Sequence, residues 1–270
     1  MADYYDLVYA DLATARYTTS RRRPLFEEFL RREPAPAGGR LLDIGCGEGT
    51  FVRLAGQYGW DAWGVETSME AVAAARSLGL NVELGRFSTE GVAKLPFYTE
   101  GFDVVTLWNV IEFFPRPLEQ LREIARVLAP GARLFVRTPN GVFHVLAYRL
   151  SRMMRGPRVI AETLRRAFFF NPLLWSAPSL SHYLRAAGFA SLEIRNRRLS
   201  VGDPYRIIPR ERERRLQLVK HALYATVAAA SVMSLGRLTL GPSLAATATK
   251  PRDPARRTSR ALRALSGSRL

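Results

Sequence analysis

The segment Leu41-Leu42-Asp43-Ile44-Gly45-Cys46-Gly47-Glu48-Gly49-Thr50-Phe51 constrains the fold of this chain more than any other. RLLDIG reads as a short buried strand, and the apolar-periodic FVRLAGQYG after the turn reads as a helix. The glycines between them allow positive φ and let the backbone come close to a ligand. The turn feeds a helix N-terminus, whose free N–H groups favour a carboxylate or phosphate. A dinucleotide site would want Gly-x-Gly-x-x-Gly; here the spacing is Gly45-x-Gly47-x-Gly49, with an acid, Asp43, before it. That acid would repel a pyrophosphate and suits a cationic amino-acid group. Glu66 ends the next strand, WDAWGVE, about 20 residues on, where a carboxylate can take both hydroxyls of a ribose.

The rest of the chain repeats the alternation. Pro24 is expected to open a helix, PLFEEFLRRE, with Leu25, Phe26, Phe29 and Leu30 on one face. SMEAVAAARSLG reads as a helix with Ser68 as N-cap and Gly79 as stop. NVELG is a third strand. FDVVTLWNV is a fourth, apolar almost throughout, as a parallel strand covered on both faces should be. PLEQLREIARVLAPG is a helix expected to end at Pro130-Gly131, and ARLFVRTPN is a fifth strand. Later come the helix SLSHYLRAAGF, a sixth strand ASLEIRNRRLS, and RLTLGPSLAATATK as a final strand or hairpin. Alternating strands and helices imply an α/β fold, a doubly wound parallel sheet. Residues 1–39 are expected to form an N-terminal helical cover and 40–250 the main domain, with helical insertions near 141–176 and 202–236. Residues 251–270 are expected to be a disordered basic tail.

Composition narrows the function classes. With one cysteine, Cys46, among 270 residues, no disulfide can form within the chain and no cysteine-based zinc site is expected. The acidic, aromatic start MADYYDLVYADL lacks the basic and apolar regions of a secretory signal. The charge-free stretch Ala222 to Leu235 is shorter than the roughly 20 residues of a transmembrane helix. These features suit a cytoplasmic protein. Net charge is +16, and all basic residues except Lys94, Lys220 and Lys250 are arginine. Such a surface can favour nucleic acid or anionic lipid, or can reflect a GC-rich genome. The apolar helix near 216–235, behind the cluster Arg210 to Arg215, suggests peripheral membrane contact through 210–236.

The pieces LLDIGCGEGTF, GVE at 64–66, LPFYTEGFDVVTLWNVIEF at 95–113 and LREIARVLAPGARLFVRTPN at 121–140 resemble, in order and spacing, the class I S-adenosylmethionine-dependent methyltransferases. The likeness is greatest to the small-molecule branch that includes the ubiquinone-biosynthesis O-methyltransferases. It implies a Rossmann-like, seven-stranded sheet, mostly parallel, with an antiparallel last strand. It also implies S-adenosylmethionine as cofactor and roles for individual residues. Asp43, Gly45 and Gly47 would line the methionine end, and Glu66 would hold the ribose hydroxyls. Thr67 and Phe87 would flank the adenine, and Trp108 and Asn109 would lie near the sulfonium. Tyr4 and Tyr5 resemble the N-terminal cover of such sites.

Methyl transfer needs alignment of acceptor, methyl and sulfur, and a base only where the acceptor oxygen has a high pKa. Relatives often carry Glu-His after the fourth strand; this chain has Glu112-Phe113. Of His144, His182 and His221, His144 lies nearest the expected acceptor pocket, and no catalytic residue is assigned. No metal site is expected, since no His/Asp/Glu cluster stands out. Phe143, Phe168, Phe169, Phe170 and Trp175 suggest an apolar or aromatic acceptor pocket. The expected acceptor is a small molecule, lipid or lipid-linked compound, methylated on O or N. Methylation of nucleic acid or protein, and cofactor binding without transfer, are the alternatives; nucleic acid lacks the Asp/Asn-Pro-Pro-Tyr/Phe motif of amino-group methylation.

Overall fold

The computed structural model describes residues 12–87, 101–153, 172–197 and 239–252. Tyr4, Tyr5, Phe168 to Phe170, His221, the insertion near 202–236 and the tail from 253 lie outside the described residues.

Seven strands make one sheet: β1 (Arg40–Ile44), β2 (Asp61–Glu66), β3 (Asn81–Leu84), β4 (Phe102–Trp108), β5 (Leu128–Pro139), β6 (Ala190–Arg197) and β7 (Ser243–Thr249). Their order is β3-β2-β1-β4-β5-β7-β6. Pairing is parallel from β3 to β5, and β7 runs antiparallel to both β5 and β6. The last strand is thus a single antiparallel strand, not a hairpin. The order reverses between β1 and β4, so a crevice opens at their carboxyl ends, the place where open α/β sheets bind ligands.

The described helices are α1 (Leu12–Arg32), α2 (Thr50–Gln57), α3 (Met69–Ser77), α4 (Pro117–Val127), α5 (Gly141–Met153) and α6 (Ala177–Ala186). Residue parity along β1 and β4 sorts the core into two layers. Leu42 and Val105 share a cluster with Leu121 and Ile124 of α4 and Leu180 and Leu184 of α6. Leu41 and Val104 face the other way, into Phe26 and Leu30 of α1 and Phe51 and Val52 of α2. Each such side chain contributes about 1.5–3 kcal/mol on burial.

Two expected helix boundaries are corrected. Pro24 does not open a helix; it lies inside α1. A proline in a helix interior removes only its own N–H bond and strains the preceding turn, and Phe26 and Leu30 beyond it are buried against the sheet. The helix before β5 ends at Val127, not at Pro130-Gly131. Pro130 and Gly131 form a bulge at the start of β5, where the register against β4 jumps from Phe102↔Leu128 to Val104↔Arg133. Gly131, at φ +85°, donates to the Lys250 carbonyl, and this ties the bulge to the end of β7.

Ser68 caps α3 as expected, accepting from the Ala71 N–H. A capping box at Ser176 and Ser179 starts α6. Ser176→Ala should lower unfolding stability by about 1 kcal/mol, read as a reduced urea midpoint at unchanged slope. No shift in midpoint would show that Pro178 and the packing of Leu180 suffice to start the helix.

Candidate functional site

The carboxyl ends of β1, β2 and β4 bring two acids and a glycine turn together. Gly45 and Gly47 sit at φ +72° and +56°. The Gly45 N–H donates to the Val65 carbonyl at 2.7 Å, which fixes the turn against β2. A Cβ on Gly45 would come within 2.5 Å of Val110 Cγ2, just beyond β4. A side chain at Gly45 would therefore fill the crevice edge as well as strain the backbone.

Glu66 is only 6% exposed. One carboxylate oxygen accepts from the Gly47 N–H at 2.8 Å. The other accepts from the Thr67 N–H at 2.6 Å, the Thr67 hydroxyl at 3.1 Å and the Ser68 N–H at 3.1 Å. The carboxylate is thus locked in place by donors from both the turn and the start of α3. Thr67 lies exposed at the rim. Phe87 is buried and packs in the same core cluster as Val65.

Asp43 is 2% exposed and accepts from the Thr106 hydroxyl of β4 at 2.7 Å. Burial pushes its carboxyl up to about 8; the Thr106 bond opposes this, the nearby Glu66 adds to it, and Arg22 opposes it again. Cys46 lies between these acids and packs against Gly64, whose missing side chain makes room for the thiol. Burial, then Asp43 and Glu66, push the thiol well above its ordinary range, so it stays protonated and unreactive.

Just past β4, Asn109 adopts φ +62°, a conformation asparagine tolerates better than most residues. Its N–H donates to the Arg137 carbonyl at 2.8 Å, and its side-chain oxygen accepts from the Arg137 guanidinium. The Trp108 backbone lies at the same edge, but its ring turns beneath the sheet into an aromatic layer with Phe26, Phe29, Phe51 and Phe135.

Residues 17–194 match a family described as methyltransferase domain. This chain belongs to that family. Its curated relatives include the ubiquinone biosynthesis O-methyltransferase of Aromatoleum aromaticum, 28% identical over 66% of this chain and 77% of that protein. The protein of the same name from Hahella chejuensis is 34% identical over 43% of this chain and 50% of its own length. The chain thus spans about half the length of most of the curated relatives it matches. An S-adenosylmethionine-dependent methyltransferase from Archaeoglobus fulgidus shares the fold at a TM-score of 0.52, with 20% identity over 84% of this chain and 94% of that one. A Haloferax volcanii methyltransferase, solved in complex with its activator, reaches 0.62 at 20% identity over 92% and 98%. The chain is thus a member of the methyltransferase-domain family with the Rossmann-like fold of the class I enzymes.

Several neighbours of this methyltransferase's crevice escape the sequence pattern. Arg22 projects from α1 close enough to lower the carboxyls of both Asp43 and Glu112, and its Nε is buried with no hydrogen-bond partner among the described residues. Its only sequence signal is the run Arg21-Arg22-Arg23. Glu112 lies on the short helical turn Ile111–Phe113 and is 1% exposed. It accepts from the Thr138 hydroxyl at 3.0 Å. Burial pushes it up to about 7 against hydrogen bonds from its own backbone and Thr138 and the pull of Arg137 and Arg22. His144, on α5, is buried edge-on to Phe143, and burial lowers its pKa against a bond with the Pro242 backbone. His182 is exposed on α6. Among the described residues, no group of three or more His, Cys, Asp or Glu is placed to hold a metal, and no helix is long and apolar enough to cross a membrane.

Proposed function

We propose that this methyltransferase moves a methyl group to an oxygen or nitrogen of a small-molecule or lipid-like acceptor. The observation that carries the cofactor part is the pair of buried carboxylates, Asp43 and Glu66, on either side of one glycine turn, with Arg22 near Asp43. This set fits S-adenosylmethionine. The Glu66 carboxylate, already oriented by three backbone N–H groups, accepts the two ribose hydroxyls. Asp43 meets the ammonium of the methionine end, and the Arg22 guanidinium meets its carboxylate. Gly45 and Gly47 let the backbone lie against the ligand. Thr67 and Phe87 bound the adenine. Trp108, through its backbone, and Asn109 border the sulfonium.

When bound, the cofactor supplies a methyl carbon activated by the sulfonium. The chain's own residues then hold the methionine end still, so that the acceptor atom need only be aligned with the methyl–sulfur axis. Buried Trp108, Ile111 and Phe114 near the end of β4 exclude water from that edge, which favours a step that disperses charge. The relatives named as ubiquinone biosynthesis O-methyltransferases support an oxygen acceptor. Phe113, standing where many relatives carry histidine, leaves the nitrogen acceptor open. Peripheral contact with an anionic membrane through 210–236 is part of this proposal for a lipid-like acceptor.

The test is incubation of the purified protein with methyl-labelled S-adenosylmethionine and fractionated cell extract. Label should enter the small-molecule or lipid fraction. Label confined to RNA or protein would refute the acceptor class, and cofactor binding without label transfer in any fraction would refute the activity.

A further inference from the structure

Asn140 follows the last residue of β5, is wholly buried, and has each of its donors in use. Its backbone N–H donates to the Pro242 carbonyl at 3.0 Å, and its carbonyl accepts from the His144 N–H at 3.1 Å. Its side-chain nitrogen donates to the carbonyls of Thr239 and Gly241, both at 2.7 Å. Its side-chain oxygen accepts from the Val142 N–H at 3.1 Å, which caps the start of α5. Asn140 also bridges to Trp175, whose carbonyl accepts from the Gly141 N–H at 2.7 Å. Three separate runs of chain thus meet at one residue: the start of α5, the approach to α6 and the approach to β7. The approach to α6 is tied in turn to the chain beyond β4, where the Glu112 carbonyl accepts from the Leu173 N–H at 3.1 Å.

Two aliphatic side chains stand out from this junction. Val142 is 42% exposed and Leu174 38%. Phe143 and Trp175, expected from the sequence to line an acceptor pocket, are instead buried. Gly141 brings the two runs together, since a Cβ on it would come within 2.9 Å of the Leu174 Cβ. Val142 and Leu174 therefore lie beyond the carboxyl ends of β4 and β5, on the side of the sheet where the crevice opens. Asn140 sets both of them. It accepts from the N–H of Val142 itself, and its bridge to Trp175 fixes the run that bears Leu174. A buried polar network that is fully satisfied holds its members rigidly, so this apolar pair is presented in one arrangement.

We propose that Asn140 is a positioning residue for methyl transfer: it holds Val142 and Leu174 as an apolar wall against which the non-reacting part of the acceptor packs. This rests on the small-molecule reading above. An acceptor displaced by about 1 Å loses roughly 100-fold in rate, so a wall fixed by buried hydrogen bonds bears directly on turnover. Asn140→Ser keeps a cap for the Val142 N–H but is too short to reach the carbonyls of both Thr239 and Gly241. Val142→Asn and Leu174→Asn make the exposed wall polar and leave the buried network in place, so they decide the matter if Asn140→Ser does not fold. Label transfer from methyl-labelled S-adenosylmethionine is measured at saturating cofactor while the amount of the small-molecule and lipid fraction of cell extract is varied. The amount of extract giving half the maximal rate should rise roughly tenfold or more in each variant, with cofactor affinity by calorimetry unchanged. A purely structural role would lower the melting temperature and leave that half-saturating amount where it was. Half-saturation at the wild-type amount in every folded variant overturns the proposal. So does a loss of cofactor affinity as large as the loss of transfer, which would assign Asn140 to the cofactor crevice. Wild-type transfer with unaltered variants defeats the wall alone; no transfer by the wild type defeats the small-molecule reading and the wall with it.

Discussion

Glu66→Ala weakens S-adenosylmethionine binding by at least tenfold, and by about 100-fold if both ribose hydroxyls lose a charged acceptor, at about 1.5 kcal/mol or more for each bond. The expectation follows from how Glu66 is held. Its two oxygens take N–H bonds from Gly47, Thr67 and Ser68, so the carboxylate is oriented before ligand arrives and little ordering entropy is lost on binding. Alanine would remove the proposed acceptor for the ribose and also untie the glycine turn from the start of α3. Glu66→Gln tells these effects apart. It retains one acceptor oxygen but sets an NH2 against backbone donors, so it should recover only part of the affinity. Isothermal calorimetry supplies the affinities, and near-ultraviolet circular dichroism checks that each variant is folded. Unchanged affinity in a folded Glu66→Ala protein would remove Glu66 from the site.

Much of this crevice is legible in the sequence because its parts are local. A strand, a turn that needs positive φ and a helix start occupy eleven consecutive residues, and each leaves a mark in residue type. The acid at the end of β2 is equally plain. The sheet order is less local, but the near-continuous apolar run of β4 announces a strand covered on both faces, and the structure makes it central. What the pattern hides is what tertiary packing decides. With Pro24 taken as a helix start, Arg22 belongs to a polar lead-in. Once α1 runs through Pro24, Arg22, Phe26 and Leu30 fall on one face at four-residue spacing, and burial of Phe26 and Leu30 turns Arg22 toward Asp43. The position of Trp108 at the end of β4 suggests a residue near a ligand. The ring direction follows instead from parity with Val104 and Thr106, which face α1 and the Asp43 side chain. The bulge at Pro130-Gly131 was hidden because Pro-Gly is a turn signal as readily as a strand irregularity.

Cofactor affinity in this methyltransferase should rise with pH between about 6 and 8, by up to tenfold per unit, and Asp43→Asn should flatten that rise. The groups around Asp43 are the Thr106 hydroxyl on β4, the Glu66 carboxylate on β2 and Arg22 on α1. Burial dominates, and the carboxyl of the free protein is pushed up to about 8. At pH 6 it is therefore mostly protonated. An ammonium placed against it favours the carboxylate, so binding expels a proton, and each unit of pH below 8 costs up to one decade of affinity. Above about 8 the ligand's own α-amino group begins to lose its charge and the rise ends. Stability runs the opposite way. A carboxyl whose folded pKa lies above its unfolded value contributes stability that is complete below about 4 and is lost as pH rises through about 8. The free protein should then melt at progressively lower temperature across that window, and the Asn variant, which keeps an acceptor for Thr106, should decline less. Glu112, pushed up to about 7, shares part of the window; Glu112→Gln separates its share, because it leaves the Asp43 term in cofactor affinity intact. Calorimetry in buffers of different protonation enthalpy counts the proton released on binding. A wild-type affinity that is flat from pH 6 to 8, or a slope that survives in Asp43→Asn, would mean that no ammonium meets this carboxylate.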